Sequence, residues 1–188
     1  MAYSDLHELR RQDAERTDAI ARSHTELLRR LLAAPRLSAR DVDRVDKLPG
    51  VYVWWLADAP NTCLKVGRAR LGARSEGLRR RIRQHLSSNE ANTVLARHLA
   101  GDRESPWSLG IDFTHRAERK LFLATRCVYQ LLTLPELTVD ELDAFETYIE
   151  RELQPLYLDY IRQPKLRGVT TSMPRPLPQR SIRRDAAE

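Results

Sequence analysis

The 188-residue sequence contains little cysteine and no long apolar run. Its two cysteines, Cys63 and Cys127, lack the CxxC and Cys/His spacings of metal sites, and two thiols cannot form a disulfide-rich scaffold. No stretch approaches the roughly 20 apolar residues of a membrane-spanning helix, and charges interrupt the N-terminus where a signal peptide would be apolar. We therefore expect a cytoplasmic protein without a membrane segment, in which both thiols are reduced and buried.

Aromatic residues are also scarce, at 6% of the chain, whereas charged residues make up 31%. A chain of this length and composition predicts one modest hydrophobic core with terminal extensions rather than two full domains. We divide it into an N-terminal helical extension, a central domain, and a basic, proline-rich tail that we expect to be mobile: residues 1–46, 47–160 and 161–188.

Positive charge is concentrated in one internal stretch and in the tail. Residues 65–85 carry eight Lys or Arg and one acidic residue, residues 161–188 carry seven and two, and residues 86–160 carry seven and thirteen. Such clustering predicts contact with the phosphates of a nucleic acid, and its alternative is a solvated arginine-rich helix face. The candidate phosphate contacts in the internal stretch are Arg68, Arg70, Arg74, Arg79, Arg80 and Arg83.

Apolar periodicity and turn residues predict a mixed arrangement of helices and strands. A leading helix over residues 4–34 ends at Pro35, and this segment either packs on the core or forms a homodimer contact. The predicted strands cover residues 51–56, 63–66 and 109–113. The further predicted helices cover residues 38–45, 75–87, 92–99, 116–132 and 138–153. We expect the second strand to end at Gly67, where a backbone can approach a ligand closely.

Four short motifs of the central domain indicate a functional site by their order and spacing. Gly50-Val51-Tyr52 opens the first strand, and Lys65-Val66-Gly67 closes the second. Arg81 and His85 lie four residues apart on the next helix, so they share one face, and Glu146 precedes Pro155 by nine residues. In order and spacing, residues 47–160 resemble the GIY-YIG nuclease superfamily.

This resemblance implies an α+β domain in which helices flank a small central three-stranded antiparallel sheet. It further implies metal-dependent hydrolysis of DNA phosphodiester bonds, with one Mg²⁺ or Mn²⁺ held by Glu146. By the same resemblance, Tyr52 is the general base, and Arg81 holds the phosphate with its planar fork of donors. His85 is expected to bond either to the phosphate or to Tyr52.

The chain departs from the superfamily pattern at Lys65, which stands where the second motif has a tyrosine. A lysine on the strand beside Tyr52 either lowers the pKa of the phenol, which would suit catalysis, or marks an altered site. The alternative function is therefore a catalytically silent nucleic-acid-binding module on the same fold, with RNA not excluded as the partner. Glu150, one helical turn after Glu146, is the second choice of metal ligand.

Overall fold

The structure is a computed structural model that describes residues 3–70, 77–102 and 110–158. Within these ranges the β-strands are β1 (Gly50–Leu56), β2 (Cys63–Ala69) and β3 (Cys127–Thr133). The α-helices are α1 (Tyr3–Ala33), α2 (Gly77–Leu86), α3 (Val94–Gly101), α4 (Arg116–Thr125) and α5 (Val139–Leu153). A short 3-10 helix covers Ala39–Arg44 between α1 and β1.

The three strands form one antiparallel sheet in the order β2-β1-β3, which confirms the predicted α+β fold class. All seven residues of the central strand β1 are buried because helices cover both faces of the sheet. Side chains alternate between the two faces along a strand, so β1 contributes to two hydrophobic clusters. One cluster contains Tyr52, Trp54 and Leu56 with side chains of α2, α3 and α4, and the other contains Val51, Val53 and Trp55 with side chains of α1 and α5.

The predicted third strand was wrong. Ile111 and Phe113 lie in irregular and turn structure, Leu109 lies outside the described residues, and the predicted helix over residues 116–132 ends at Thr125. Residues 127–133 instead form β3, which pairs with β1 over its whole length, from Gly50 opposite Thr133 to Leu56 opposite Cys127. The edge of β1 that does not pair with β2 offers hydrogen-bonding partners to all seven residues of β3. This long-range pairing outweighs the helical pattern of residues 127–132.

Other boundaries follow the sequence more closely. The helix predicted at residues 38–45 is the 3-10 helix, capped by Ser38 with Asp41 as its reciprocal partner. α5 begins with the expected capping box of Thr138 and Glu141. β2, however, continues through Gly67 to Ala69, and the predicted cap of α2 at Ser75 lies outside the described residues.

The last turns of α1 pack on the core. Leu31 is fully buried, and Thr25 Oγ1 lies 3.0 Å from the hydroxyl of Tyr148 on α5. Earlier in α1, every described side chain between residues 11 and 23 is exposed. This long helix is richly charged, and no helix in the described ranges combines the length and apolarity that a membrane span requires.

Both cysteines are buried and unpaired, as expected. Burial raises the pKa of the Cys63 thiol to about 12, and it raises that of Cys127 further. Both thiols therefore stay protonated at neutral pH and act as small apolar side chains.

Candidate active site

The hydroxyl of Tyr52 lies across the neighbouring strand, directly above Gly67. The antiparallel register places Tyr52 opposite Gly67, and a Cβ built on this glycine would lie 2.2 Å from the phenolic oxygen. Any side chain at position 67 would therefore displace the ring. The close approach that we expected at Gly67 is thus made by the Tyr52 ring of the same chain, and no ligand is needed to explain the glycine.

Helix α2 brings Arg81 and His85 to this hydroxyl. His85 Nε2 lies 2.7 Å from the Tyr52 oxygen, and Arg81 Nε donates to the same oxygen over 3.1 Å. The four-residue spacing correctly predicted a shared face, and of the two expectations for His85 the structure shows contact with Tyr52. Arg81 also donates to the side chain of Gln84 and to the backbone carbonyl of Asn92, each over 3.3 Å. We call Tyr52, Arg81 and His85 the phenol cluster.

His85 is neutral in the folded protein. Burial, followed by the positive charges of Arg81 and Lys65, holds the pKa of its imidazole well below the ordinary value of 6.5. Its Nδ1 is buried without a hydrogen-bond partner among the described residues. We assign the imidazole proton to Nε2, because a buried N–H group without an acceptor is rarer in proteins than a buried acceptor without a donor. The phenolic oxygen then accepts two hydrogen bonds, one from His85 and one from Arg81.

Lys65 carries a buried positive charge between the two helical layers. Lys65 is on β2, opposite Trp54 of β1. Its side chain is 4% exposed, and its Nζ is 3.4 Å from Glu150 Oε1 on α5. Its charge also contributes to the lowered pKa of His85. Lys65 is therefore electrostatically coupled to the phenol cluster on one side and to α5 on the other.

Glu146 belongs to a second group of charges, which lies between β2 and α5. Its carboxylate is almost completely buried and forms an ion pair with Arg68. The same guanidinium contacts Asp143, which also accepts two hydrogen bonds from Arg70 at 2.6 and 2.7 Å. Three acids of α5 thus face two cations of β2 and Arg70, which directly follows that strand. We call this set the ion-pair row: Lys65, Arg68, Arg70, Asp143, Glu146 and Glu150.

Three of the remaining candidate phosphate contacts lie on α2. Arg79 Nε donates to the carbonyl of Val45 over 2.6 Å, and Arg83 pairs with Asp43 at 2.6 Å. Arg80 is exposed, and Arg74 lies outside the described residues. Their assignment to nucleic-acid binding stays a prediction.

The donor chemistry at Glu146 fits the implied metal. Carboxylate oxygens are the ligands that Mg²⁺ and Mn²⁺ prefer, and Asp143 and Glu146 turn two carboxylates toward one guanidinium. In the part of the chain that the structure describes, no three His, Cys, Asp or Glu side chains gather into a complete ligand set. Water and phosphate oxygens would have to supply the other ligands, as the resemblance implies for a single carboxylate.

The sequence interpretation missed one contributor to the site, Asp143, and one buried arginine elsewhere in the core, Arg119. The signal for Asp143 is its spacing: Asp143, Glu146 and Glu150 are three and four residues apart, which places them on one face of α5. Arg119 is buried and donates to the carbonyls of Phe113 and Thr114 and to Glu90, so it fixes the loop that follows α2. An arginine in an amphipathic helix carries no sequence signal of such burial.

Comparison of this chain with models of protein families, with curated proteins and with solved structures finds no match. The functional argument therefore depends on the geometry of the phenol cluster and the ion-pair row.

Proposed function

We propose that this protein is a metal-dependent endonuclease that hydrolyses phosphodiester bonds of DNA. The observation that carries the proposal is the phenol cluster, in which a buried tyrosine hydroxyl is hydrogen-bonded to both an arginine and a neutral histidine. The two donors and the nearby charge of Lys65 would act against the cost that burial imposes on a phenolate, and a phenolate can accept a proton from water. Ordinary core packing does not require this convergence on one oxygen.

Each side chain has a distinct task in the proposed reaction. Tyr52 takes the proton of the attacking water, and His85 holds the phenolate oxygen in place by donating from Nε2. Arg81 is partly exposed, so its guanidinium is suited to move from the phenol to the scissile phosphate. Glu146 would hold the divalent cation, which when bound would neutralise charge on the phosphoryl oxygens.

A second candidate function is the catalytically silent nucleic-acid-binding module. Two observations favour it: Tyr52 is fully buried, and Glu146 is paired with Arg68. A base must meet water and a metal ligand must meet its metal, so cleavage requires both side chains to become accessible. A binding module has no such requirement.

The test is cleavage of supercoiled plasmid with added Mg²⁺ or Mn²⁺, comparing wild type with Tyr52→Phe and Glu146→Ala. We expect metal-dependent nicking or linearisation by wild type, a loss of about 100-fold or more in Tyr52→Phe, and retained DNA binding without cleavage in Glu146→Ala. Tyr129→Phe is the matched control, because the buried Tyr129 hydroxyl has no hydrogen-bond partner among the described residues. Single-stranded DNA and RNA are assayed in parallel.

Full activity in Tyr52→Phe would contradict the assignment of the base. If wild type binds DNA with strong salt dependence yet cleaves none of the substrates, the silent module is the better description. Cleavage of RNA alone would redirect the proposal to a ribonuclease.

The thiols and the exposed part of α1 support proposals for the compartment and the oligomeric state. The two protonated thiols suit a reducing compartment, for which we propose the cytoplasm. Concerted cutting of both strands would need two copies of a site that cuts one strand. The exposed part of α1, residues 11–23, is the surface that we propose for a homodimer.

A further inference from the structure

One guanidinium is shared by two carboxylates on consecutive turns of α5. Arg68 contacts Asp143 through Nε and Glu146 through a terminal nitrogen. The Arg68 side chain is 16% exposed and that of Glu146 is 7% exposed, so the contact is shielded from water. Shielding makes the charges act strongly on one another.

The two carboxylates are held together by the helix itself. Residues three apart on a helix lie on the same face, and two negative charges at this spacing repel each other. A cation between them removes the repulsion, and Arg68 supplies it from β2. Arg70 pairs with Asp143 from a more exposed position, where its charge is better screened.

A guanidinium is not the best cation for this position. A divalent ion matches the two negative charges, and Mg²⁺ and Mn²⁺ select carboxylate oxygens. Arginine, in turn, binds phosphate well because its planar donors form two parallel hydrogen bonds. The ion-pair row thus contains an exchangeable cation beside a ligand set that a metal can use.

We propose that Arg68 occupies the cation position between Asp143 and Glu146, and that a divalent metal binds there only when Arg68 leaves. Asp143 is then a second protein carboxylate of the metal position, and Arg68 is an internal competitor. The use of that metal in cleavage rests on the proposed function, whereas the competition itself is measurable without any cleavage.

The alternative is that Arg68 only stabilises the packing of β2 against α5. Its removal would then leave two repelling carboxylates that no ion relieves, and metal affinity would not change. The two explanations differ in metal binding and not in the loss of stability, so binding is the decisive readout.

The experiment compares Mn²⁺ binding by wild type and Arg68→Met, measured from the electron paramagnetic resonance signal of free Mn²⁺. Methionine keeps the apolar stem of the side chain and removes the charge. We expect the Mn²⁺ dissociation constant to fall by about tenfold or more in Arg68→Met. The thermal midpoint of this variant should also rise with Mg²⁺ more than that of wild type.

Arg126→Met is the matched control for net charge, because Arg126 pairs with the exposed Asp58 away from α5. It should bind Mn²⁺ as wild type does. The double variants Arg68→Met/Glu146→Gln and Arg68→Met/Asp143→Asn should lose the gained affinity. Equal affinity in wild type and Arg68→Met, or a gain that survives in both double variants, overturns the proposal.

If Arg68→Met does not fold, Arg68→Lys provides the test, because an ammonium is a point charge that does not bridge two carboxylates as a planar fork does. A smaller gain in Mn²⁺ affinity supports the competition, and no gain overturns it. Gained affinity in a protein that never cleaves nucleic acid refutes the nuclease alone. Metal-dependent cleavage without any gain in affinity refutes the competition alone.

Discussion

At the scale of single residues, Gly67 decides where the hydroxyl of Tyr52 lies. The absent side chain at position 67 leaves room for the phenol ring across β2, where His85 and Arg81 reach its oxygen. An alanine would place its methyl group inside the ring contact, and relief would require the phenol to move. Gly67 of the second motif therefore leaves room for the Tyr52 ring of the first motif, and Lys65 of the second motif supplies a positive charge nearby.

His85 predicts a specific dependence of stability on pH. Its pKa is lowered in the folded protein by burial and by Arg81 and Lys65, whereas the unfolded chain binds a proton near pH 6.5. Below this pH the unfolded state holds more protons than the folded state, so the free energy of unfolding falls as the pH falls. The slope from this one group approaches about 1.4 kcal/mol per pH unit.

The measurement is urea unfolding of wild type and His85→Gln between about pH 7.5 and about pH 5, the range over which a histidine titrates. The substitution should flatten the slope even though it lowers stability at every pH. His24→Gln is the comparison variant: burial and Arg151 also lower the pKa of His24, but less than the pKa of His85 is lowered, so this substitution should flatten the slope less. Identical slopes in wild type and His85→Gln would show that His85 titrates normally.

At the scale of elements, the start of α5 follows a known sequence pattern, whereas its end does not have the glycine that usually stands there. The capping box of Thr138 and Glu141 is legible in the sequence and present in the structure. The helix ends at Leu153, and the capping residue that follows, Gln154, adopts a left-handed conformation with φ of 45°. Glycine is the usual residue in this conformation because a Cβ is strained there.

Gln154→Gly should therefore stabilise the protein by about 1 kcal/mol, because it relieves the left-handed strain at the end of α5. Thermal or urea unfolding of the variant measures the gain. Gln154→Ala keeps the Cβ and serves as the matched control, with no stabilisation expected. A destabilised Gln154→Gly would mean that the side chain of Gln154 contributes more than the strain removes.

The third strand shows why elements were harder to predict than motifs. Residues 127–133 continue an apolar pattern from α4, and nothing in their own composition separates a helix from a strand over so short a run. The turn at Arg126 and the pairing with β1 determine that residues 127–133 form a strand. In contrast, residues 58–61 between β1 and β2 are typical of a turn, so the pairing of these two strands as a hairpin was predictable.

At the scale of the whole molecule, the internal basic stretch is less available than its composition indicates. Lys65, Arg68 and Arg70 face the acids of α5, and Arg83 faces Asp43. The pairs with α5 connect the positive stretch of residues 65–85 with the negative stretch of residues 86–160, whereas Asp43 lies before both. Much of the charge that predicts nucleic-acid binding is thus compensated within the fold, which makes the basic tail more important for any phosphate contact.

Removal of residues 164–188 should therefore weaken DNA binding at low salt and flatten its dependence on salt concentration. Each phosphate neutralised by a basic residue releases counterions, and the slope of log affinity against log salt counts these contacts. Fluorescence anisotropy of a labelled duplex at several salt concentrations measures the slope. The unchanged slope of a truncated protein would show that the tail makes no phosphate contact.

The sequence by itself determined the hairpin, the capped helices, and the shared helix face of Arg81 and His85. These features depend on neighbours a few residues apart, on turn chemistry, or on spacing along one helix, which are local properties. Only the tertiary structure decided that β3 completes the sheet, that Gly67 accommodates the Tyr52 ring, and that Arg68 lies between Asp143 and Glu146. Those contacts join residues far apart in the chain, and their partners are chosen by packing and charge pairing that no local pattern encodes.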